Sequence, residues 1–153
     1  MINRLNVRVY FFLLDDASAH VLVSDEIIQK EWYTKFPGGG LEFGEGTLDA
    51  AMREAMEELG QAIEVTDHLY TTDFFIQSAF RESDQIMSIY YLTKLKEPQR
   101  FSSANSKFDF IQFEKNEERF RWVEIGQLAN EEFQFPTDRK AVDVFLKSFG
   151  LSA

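Results

Sequence analysis

Apolar positions along the chain alternate, then run together, then recur every three to four residues, and these changes of period predict the elements. Leu5 to Leu14 and Val21 to Asp25 read as strands separated by a turn over Asp15–His20. Trp32 to Phe36 is a short strand that runs into a glycine-rich turn. From Thr47 the period lengthens: Leu48, Ala51, Met52, Ala55, Met56 and Leu59 recur at i, i+3, i+4, i+7, i+8 and i+11, the apolar stripe of a helix. Thr47 is its expected N-cap, Asp49 suits the first turn, and Gly60 suits the position just past the last turn.

Ile63 to Phe80 and Ile86 to Lys96 are rich in Thr, Ile, Phe and Tyr and predict a long pair of strands turning near Arg81–Asp84. The polar Gln99–Ser106 segment predicts a mobile loop. Phe108 to Phe113, with Phe108, Phe110 and either Ile111 or Phe113 alternating, predicts a strand, and Arg119 to Ile125 another around Trp122. Thr137 or Asp138 caps a second helix through Phe149, with Ala141, Val142, Phe145, Leu146 and Phe149 on its apolar side. There is no internal repeat and no low-complexity segment, so residues 1–153 are expected to form one domain. Two helices covering a sheet predict an α/β (α+β) sandwich.

Composition narrows the function. A chain of 153 residues with 44% hydrophobic positions and 16 phenylalanines can build a substantial core. A net charge of −10 argues against binding of polymeric nucleic acid, which wants a basic face. A small anionic substrate stays open, because a bound metal and a few local Arg or Lys residues invert the sign of a site. With no cysteine, disulfides and thiolate metal sites are excluded. Arg4, Arg8, the apolar run Val9–Leu14 and Ala17-Ser18-Ala19 imitate a signal peptide, but the run is only six residues and Asp15-Asp16 precede the would-be cleavage site. It reads as a buried strand, and the expected location is the cytoplasm. No run approaches the length of a membrane span.

The chemistry concentrates in PGGGLEFGEGTLDAAMREAMEELGQ, from Pro37 to Gln61. Glu54, Glu57 and Glu58 fall within an arc of about 100° on the helix. Like charges at this spacing repel by roughly 0.2–0.5 kcal/mol per pair, so three carboxylates together ask for a counter-charge. Arg53 reaches Glu57, Asp49 or Glu45 and offsets part of it. A hard divalent cation suits carboxylates plus substrate phosphates. A solvated acidic face is the commoner use of a lone Glu-Glu pair, but the glycine loop ahead of the helix has no part in that reading. Gly38, Gly39, Gly40 and Gly44 permit close approach of backbone to a ligand, and a helix N-terminus behind such a loop favours anions.

The fixed positions are Gly39, five residues, Glu45, seven residues, then Arg53-Glu54, two residues, Glu57-Glu58, one residue, and Gly60. This pattern resembles the signature of the Nudix (MutT-like) hydrolases, which cleave nucleoside diphosphates linked to another group. The resemblance implies the Nudix fold over essentially the whole chain, a mixed β-sheet between helices, although the diagnostic positions span only about 25 residues. It implies Mg²⁺ or Mn²⁺ as cofactor, a small nucleoside diphosphate derivative as substrate, and a homodimer as a plausible assembly.

Carried over position by position, the resemblance assigns Glu54, Glu57 and Glu58 as metal ligands, or one of them, Glu54 by resemblance, as the general base instead, and the Gly38 carbonyl as a backbone ligand. Arg53 belongs with Glu54 and Glu57 in the catalytic group, while Glu45 and Gly60 support the motif; a bracing salt bridge is the favoured role for Arg53 and Glu45. Members often add a carboxylate ahead of a tryptophan strand. Glu114, Glu117 and Glu118 precede Trp122 here; the place three before Trp122 is Arg119, and Glu118 is the chosen candidate. Gln61 stands where the signature has an aliphatic residue, which bears on local packing.

Substrate contacts are read from residue type. Gly39, Gly40, Lys35 and Arg81 are the candidates for phosphate, with Arg119, Arg121 and Arg139 behind them. Trp32, Tyr33, Phe74, Phe75, Phe108 and Phe110 could stack a base, although strand aromatics are more often core. Branch markers are lacking: Gln77 stands where ADP-ribose hydrolases have proline, no tyrosine lies near Ser78–Ala79, and no SQPW-like segment occurs. His20 and His68 have no assigned role. A nucleotide-binding module without turnover is the alternative function, and a purely structural acidic helix the third.

Overall fold

In the computed structural model, residues 1–109 and 117–151 are described. Seven strands form one mixed sheet: β1 (Arg4–Leu14), β2 (His20–Ile28), β3 (Glu31–Lys35), β4 (Gly38–Gly40), β5 (Ile63–Thr71), β6 (Asp84–Leu95) and β7 (Glu118–Glu124). Helix α1 (Thr47–Leu59) follows β4, and a 3₁₀ turn (Ile125–Asn130) leads to helix α2 (Pro136–Ser148). The strand order is β3-β2-β1-β6-β5, with β4 beside β1 and β7 beside β2.

The centre of the sheet is β1, whose side chains alternate between two buried faces. Val9, Phe11 and Leu13 pack with Leu22 against Ala50, Ala51, Ala55 and Leu59 of α1. Phe12 and Leu14 pack with Val21, Val23 and Tyr90 against Ala141, Val142, Phe145 and Leu146 of α2. This is the expected mixed sheet between helices. β1 runs parallel to β6 from Arg4↔Asp84 to Leu14↔Lys94.

β1 and β2 meet at Leu14↔Val21 beside the turn, where Asp15 Oδ1 accepts the Ala19 and His20 amides. From there they part. β1 takes β4 through Arg8↔Gly40 to Tyr10↔Gly38, whereas β2 takes β3 and β7. The split leaves room for a cavity between the two halves.

Several expectations are corrected by packing. The buried face of α1 is Ala50, Ala51, Ala55 and Leu59, while Leu48, Met52 and Met56 are exposed. Small side chains let the helix sit close on the sheet, which turns the longer apolar ones outward. Its N-cap is Gly46, whose amide donates to Asp49 Oδ2, and the Thr47 hydroxyl bonds Tyr91 instead. α2 starts at Pro136, a residue suited to the first helical position, so Thr137 and Asp138 lie inside the helix, buried. β5 ends at Thr71 rather than Phe80, where Thr72 crosses to Ser88 and Tyr70 to Asp73.

The 96–106 segment is anchored. Gln61 is 1% exposed; its Nε2 donates to the Pro98 carbonyl, and its Oε1 accepts the Arg100 and Phe101 amides. The departure from the signature at this position thus fixes the loop, and Gln99 Oε1 and the Phe120 carbonyl accept from Trp122 and Ala104. Of the strand expected over Phe108 to Phe113, Phe108 lies in a turn at φ 51° and Asp109 in no regular element, and residues 110–113 lie outside the described residues.

Candidate active site

β4 brings the glycines beside α1. Gly38 has φ +144°, and a side chain there would strike the Val9 carbonyl. A side chain on Gly39 would occupy the place of the Glu54 carboxylate, so its absence lets that carboxylate approach the strand. The Gly38 amide donates to Glu58 Oε2 at 2.8 Å. Residues 41–46 separate β4 from α1, so the amides of Gly39 and Gly40 do not lead directly into the helix N-terminus.

Arg53 ties these pieces together. It grips Glu45 with two hydrogen bonds, Nε to Oε2 at 3.0 Å and Nη2 to Oε1 at 2.7 Å, and Nη2 also donates to the Gly40 carbonyl at 2.9 Å. Nη1 reaches Glu54 at 3.0 Å and Glu57 at 3.2 Å. The hydrogen bonds to Glu45 hold the Arg53 pKa above its ordinary value. Gly60, at φ +68°, closes α1 with its amide on the Met56 carbonyl.

The carboxylates are unequal. The Glu57 side chain is 58% exposed, that of Glu54 12%. Glu58 is deep, and its pKa is pushed up to about 8, first by burial and then by Glu118 and Glu54, against Lys35 and the Gly38 amide. Burial also raises Glu54, opposed by Arg53. Register explains the next neighbours: Ser24 pairs with Lys35 and Glu26 with Glu118, so all four side chains converge. The Ser24 hydroxyl donates to Glu118 Oε2 at 2.6 Å, and Lys35 Nζ lies 3.1 Å from Glu26 and 3.5 Å from Glu118. Glu118 and Glu26 hold Lys35 protonated against the cost of its burial.

Glu58, Gly38 and Lys35 line one end of a cavity of about 650 Å³. Arg81 lines it as well, 3.9 Å from Asp84. Gly39, Gly40, Glu54, Glu57 and Glu118 do not. Tyr33 is the one stacking candidate on its wall; Trp32, Phe74, Phe75 and Phe108 are elsewhere, and Phe110 lies outside the described residues. Arg121 is sequestered by Asp25 and Glu131, Arg139 donates to the Phe133 carbonyl, and Arg119 is paired with Glu117.

Sequence reasoning missed Arg8, Tyr10, Phe80, Phe135 and Asp138, all on the cavity wall. A signal for the first two was present: Arg4, Asn6, Arg8 and Tyr10 alternate along β1 and all face the cavity. Arg8 Nε donates to Tyr10 Oη at 2.9 Å, and Tyr10, Glu54 and Glu58 favour its charge.

Among the described residues, no three acidic or histidine side chains stand gathered closely enough to hold a metal. Arg53 draws Glu54 and Glu57 aside while Glu58 turns to Gly38. The donor set nonetheless fits a hard cation in kind: oxygen ligands only, with burial and the nearby Glu118 and Glu54 raising the Glu58 pKa, a cost a cation would offset. No helix among the described residues is long and apolar enough to cross a membrane.

A mixed sheet between two helices, with a glycine strand facing a carboxylate-bearing helix, defines a class that comparison makes explicit. The NUDIX domain model matches residues 4–145, and the chain belongs to the Nudix hydrolase family. Solved structures agree on the fold. A NUDIX hydrolase from Nitrosomonas europaea aligns with TM-score 0.69 and 18% identity, covering 95% of this chain and 90% of that one. A MutT NUDIX hydrolase from Burkholderia pseudomallei gives 0.66 and 20%, covering 92% and 97%. A MutT protein from Methanosarcina mazei gives 0.68 and 14%, covering 97% and 98%. No curated protein sequence matches the chain.

Proposed function

We propose that the protein hydrolyses the diphosphate linkage of a small nucleoside diphosphate derivative, with Mg²⁺ or Mn²⁺ as cofactor. The observation that carries the reading is the buried Glu58 on the Gly38 amide, with Glu54 beside it against Gly39, next to a cavity whose wall bears Glu58, Arg8, Lys35 and Arg81. In this reading Glu54, Glu57, Glu58 and the Gly38 carbonyl would hold the cation, with Glu118 adjoining them. The cation supplies neutralisation of phosphate charge and acidifies water.

The chain's own residues do the rest. Glu54 accepts the proton of the attacking water, a role suited to a carboxylate whose pKa burial has raised. Arg8 and Arg81 receive phosphate oxygens, and Lys35 lies between Glu26 and Glu118 as their counter-charge. Arg53 and Glu45 hold β4 against α1, so the distance between the glycine strand and the carboxylates is set before substrate arrives.

A nucleotide panel assayed with Mg²⁺, with Mn²⁺ and with chelator tests the reading. Cation-dependent product release that collapses in Glu57→Gln is expected. Equal background rates for wild type and Glu57→Gln would overturn it, and tight nucleotide binding without product over hours would favour a binding module.

A further inference from the structure

Along β1 the polar side chains of Arg4, Asn6, Arg8 and Tyr10 form one wall of the cavity. Arg8 donates to Tyr10, which pairs with Gly38 in the β1–β4 register. Arg4 stands four positions before Arg8, roughly 13 Å along an extended strand. There it is registered with Asp84 of β6, which is 2% exposed. Arg4 Nε lies 3.7 Å from Asp84 Oδ2, and Arg81 Nε lies 3.9 Å from Asp84 Oδ1. Asn6 Nδ2 and Ser83 Oγ reach the same carboxylate at 3.4 and 3.5 Å.

One buried carboxylate thus sits between two guanidiniums, leaving a net positive charge on the cavity wall of a chain whose overall charge is −10. Both contacts are longer than hydrogen bonds, so the N–H forks keep their donors for another acceptor. The two arginine side chains are 53% and 61% exposed, and exposed pairs at such distances add little stability. Folding alone therefore does not call for a second arginine at Asp84. A planar guanidinium fork matches phosphate oxygens two by two. The interval along β1 is too long for one diphosphate to reach both Arg8 and the Arg4–Arg81 pair. A second phosphate elsewhere on the same nucleotide can bridge it.

We infer that Arg4 and Arg81, held by Asp84, form a second anion subsite that binds a phosphate monoester of the substrate, separate from the diphosphate that is cleaved. This rests on the nucleotide-hydrolase reading and names its substrate class: nucleoside diphosphate derivatives that carry an additional phosphate on the ribose.

Matched pairs isolate that phosphate: NADP⁺ against NAD⁺ for the 2′ position, and coenzyme A against dephospho-coenzyme A for the 3′ position. Assays at pH 8 keep the monoester dianionic. In at least one pair wild type should favour the phosphorylated member by on the order of tenfold in kcat/KM. Arg4→Gln should bring that ratio close to one, and Arg4→Lys, which keeps the charge without the fork, should retain part of it. A wild-type ratio near or below one in both pairs overturns the inference and needs no variant. An unchanged ratio in Arg4→Gln, or parallel slowing of both members, also overturns it and marks a structural residue. If no member is hydrolysed, calorimetry on the same pairs separates the two ideas. Tighter binding of the phosphorylated member that Arg4→Gln abolishes keeps the subsite while the hydrolase reading falls, and indifferent binding removes the subsite too.

Discussion

Two ion clusters sit on opposite faces of β2, and they are solved differently. Arg121, its side chain 9% exposed, donates to both oxygens of Asp25 at 2.9 and 3.1 Å and both of Glu131 at 2.6 and 3.2 Å. Asp25 also takes the Thr34 hydroxyl and the Phe108 amide, and Lys107 lies 3.5 Å from Glu131. Positive and negative charges match. Lys35, by contrast, serves Glu26 and Glu118 directly and has Glu58 beyond them. The matched cluster cross-links β2, β7 and the turn ahead of α2. The unmatched one has vacant negative charge that a proton relieves, and a cation would too.

If the contrast is right, removing charge has opposite effects in the two places. The largest expected effect is Arg121→Ala, which strands Asp25 and should cost about 3–5 kcal/mol in urea unfolding. A loss below 1 kcal/mol would mean the matched cluster is not structural. Next comes Glu58→Gln, which keeps an acceptor for the Gly38 amide while removing repulsion toward Glu118 and Glu54. Hydrolysis should fall about a hundred- to a thousandfold, roughly 3–4 kcal/mol, while metal-free stability at pH 9 holds or rises. A destabilisation like that of Arg121→Ala would erase the distinction.

Divalent cation sharpens it further. At a hundredfold excess over Kd, Mg²⁺ or Mn²⁺ should stabilise wild type by about 2.7 kcal/mol, and Glu58→Gln by less. Equal melting shifts in both would detach the cation from this cluster.

The smallest effect is read per unit of pH, at Asp138 on the cavity wall. Burial raises Asp138 to about 7 from an ordinary 3.8. Between those values the unfolded chain has released its proton and the folded chain still holds it. Stability contributed there is present at low pH and declines as pH rises, by about 1.4 kcal/mol per unit at most, then levels off. Asp138→Asn should flatten that slope in melting curves taken from pH 4 to 8; an unchanged slope would return Asp138 to an ordinary exposed-like titration.

Most strands and both helices, one of them bearing the carboxylates, were legible because periodicity and spacing record them directly, whereas the mixed sheet order came only with the resemblance. Side-chain size hid the rotation of α1: three alanines outcompeted Leu48, Met52 and Met56 for the sheet because they allow closer approach. Gln61 looked like a defect in the signature, yet its amide serves backbone groups some forty residues away, which no local pattern encodes. Asp138 looked like a helix cap, and only the fold brings it to Tyr90 and the cavity. Arg8 and Tyr10 were written in a polar alternation along β1 that the apolar run beginning at Val9 outshouted.

The parallel pairing of β1 with β6 has a consequence for how the chain is made. Every registered pair, from Arg4↔Asp84 to Leu14↔Lys94, joins residues eighty positions apart. Such a ladder closes a long loop before it gains any hydrogen bond, which slows folding. During synthesis the run Val9–Leu14 leaves the ribosome well before its partner exists. For that interval the edge of β1 that will take β6 is an open apolar edge, exposed to mispairing.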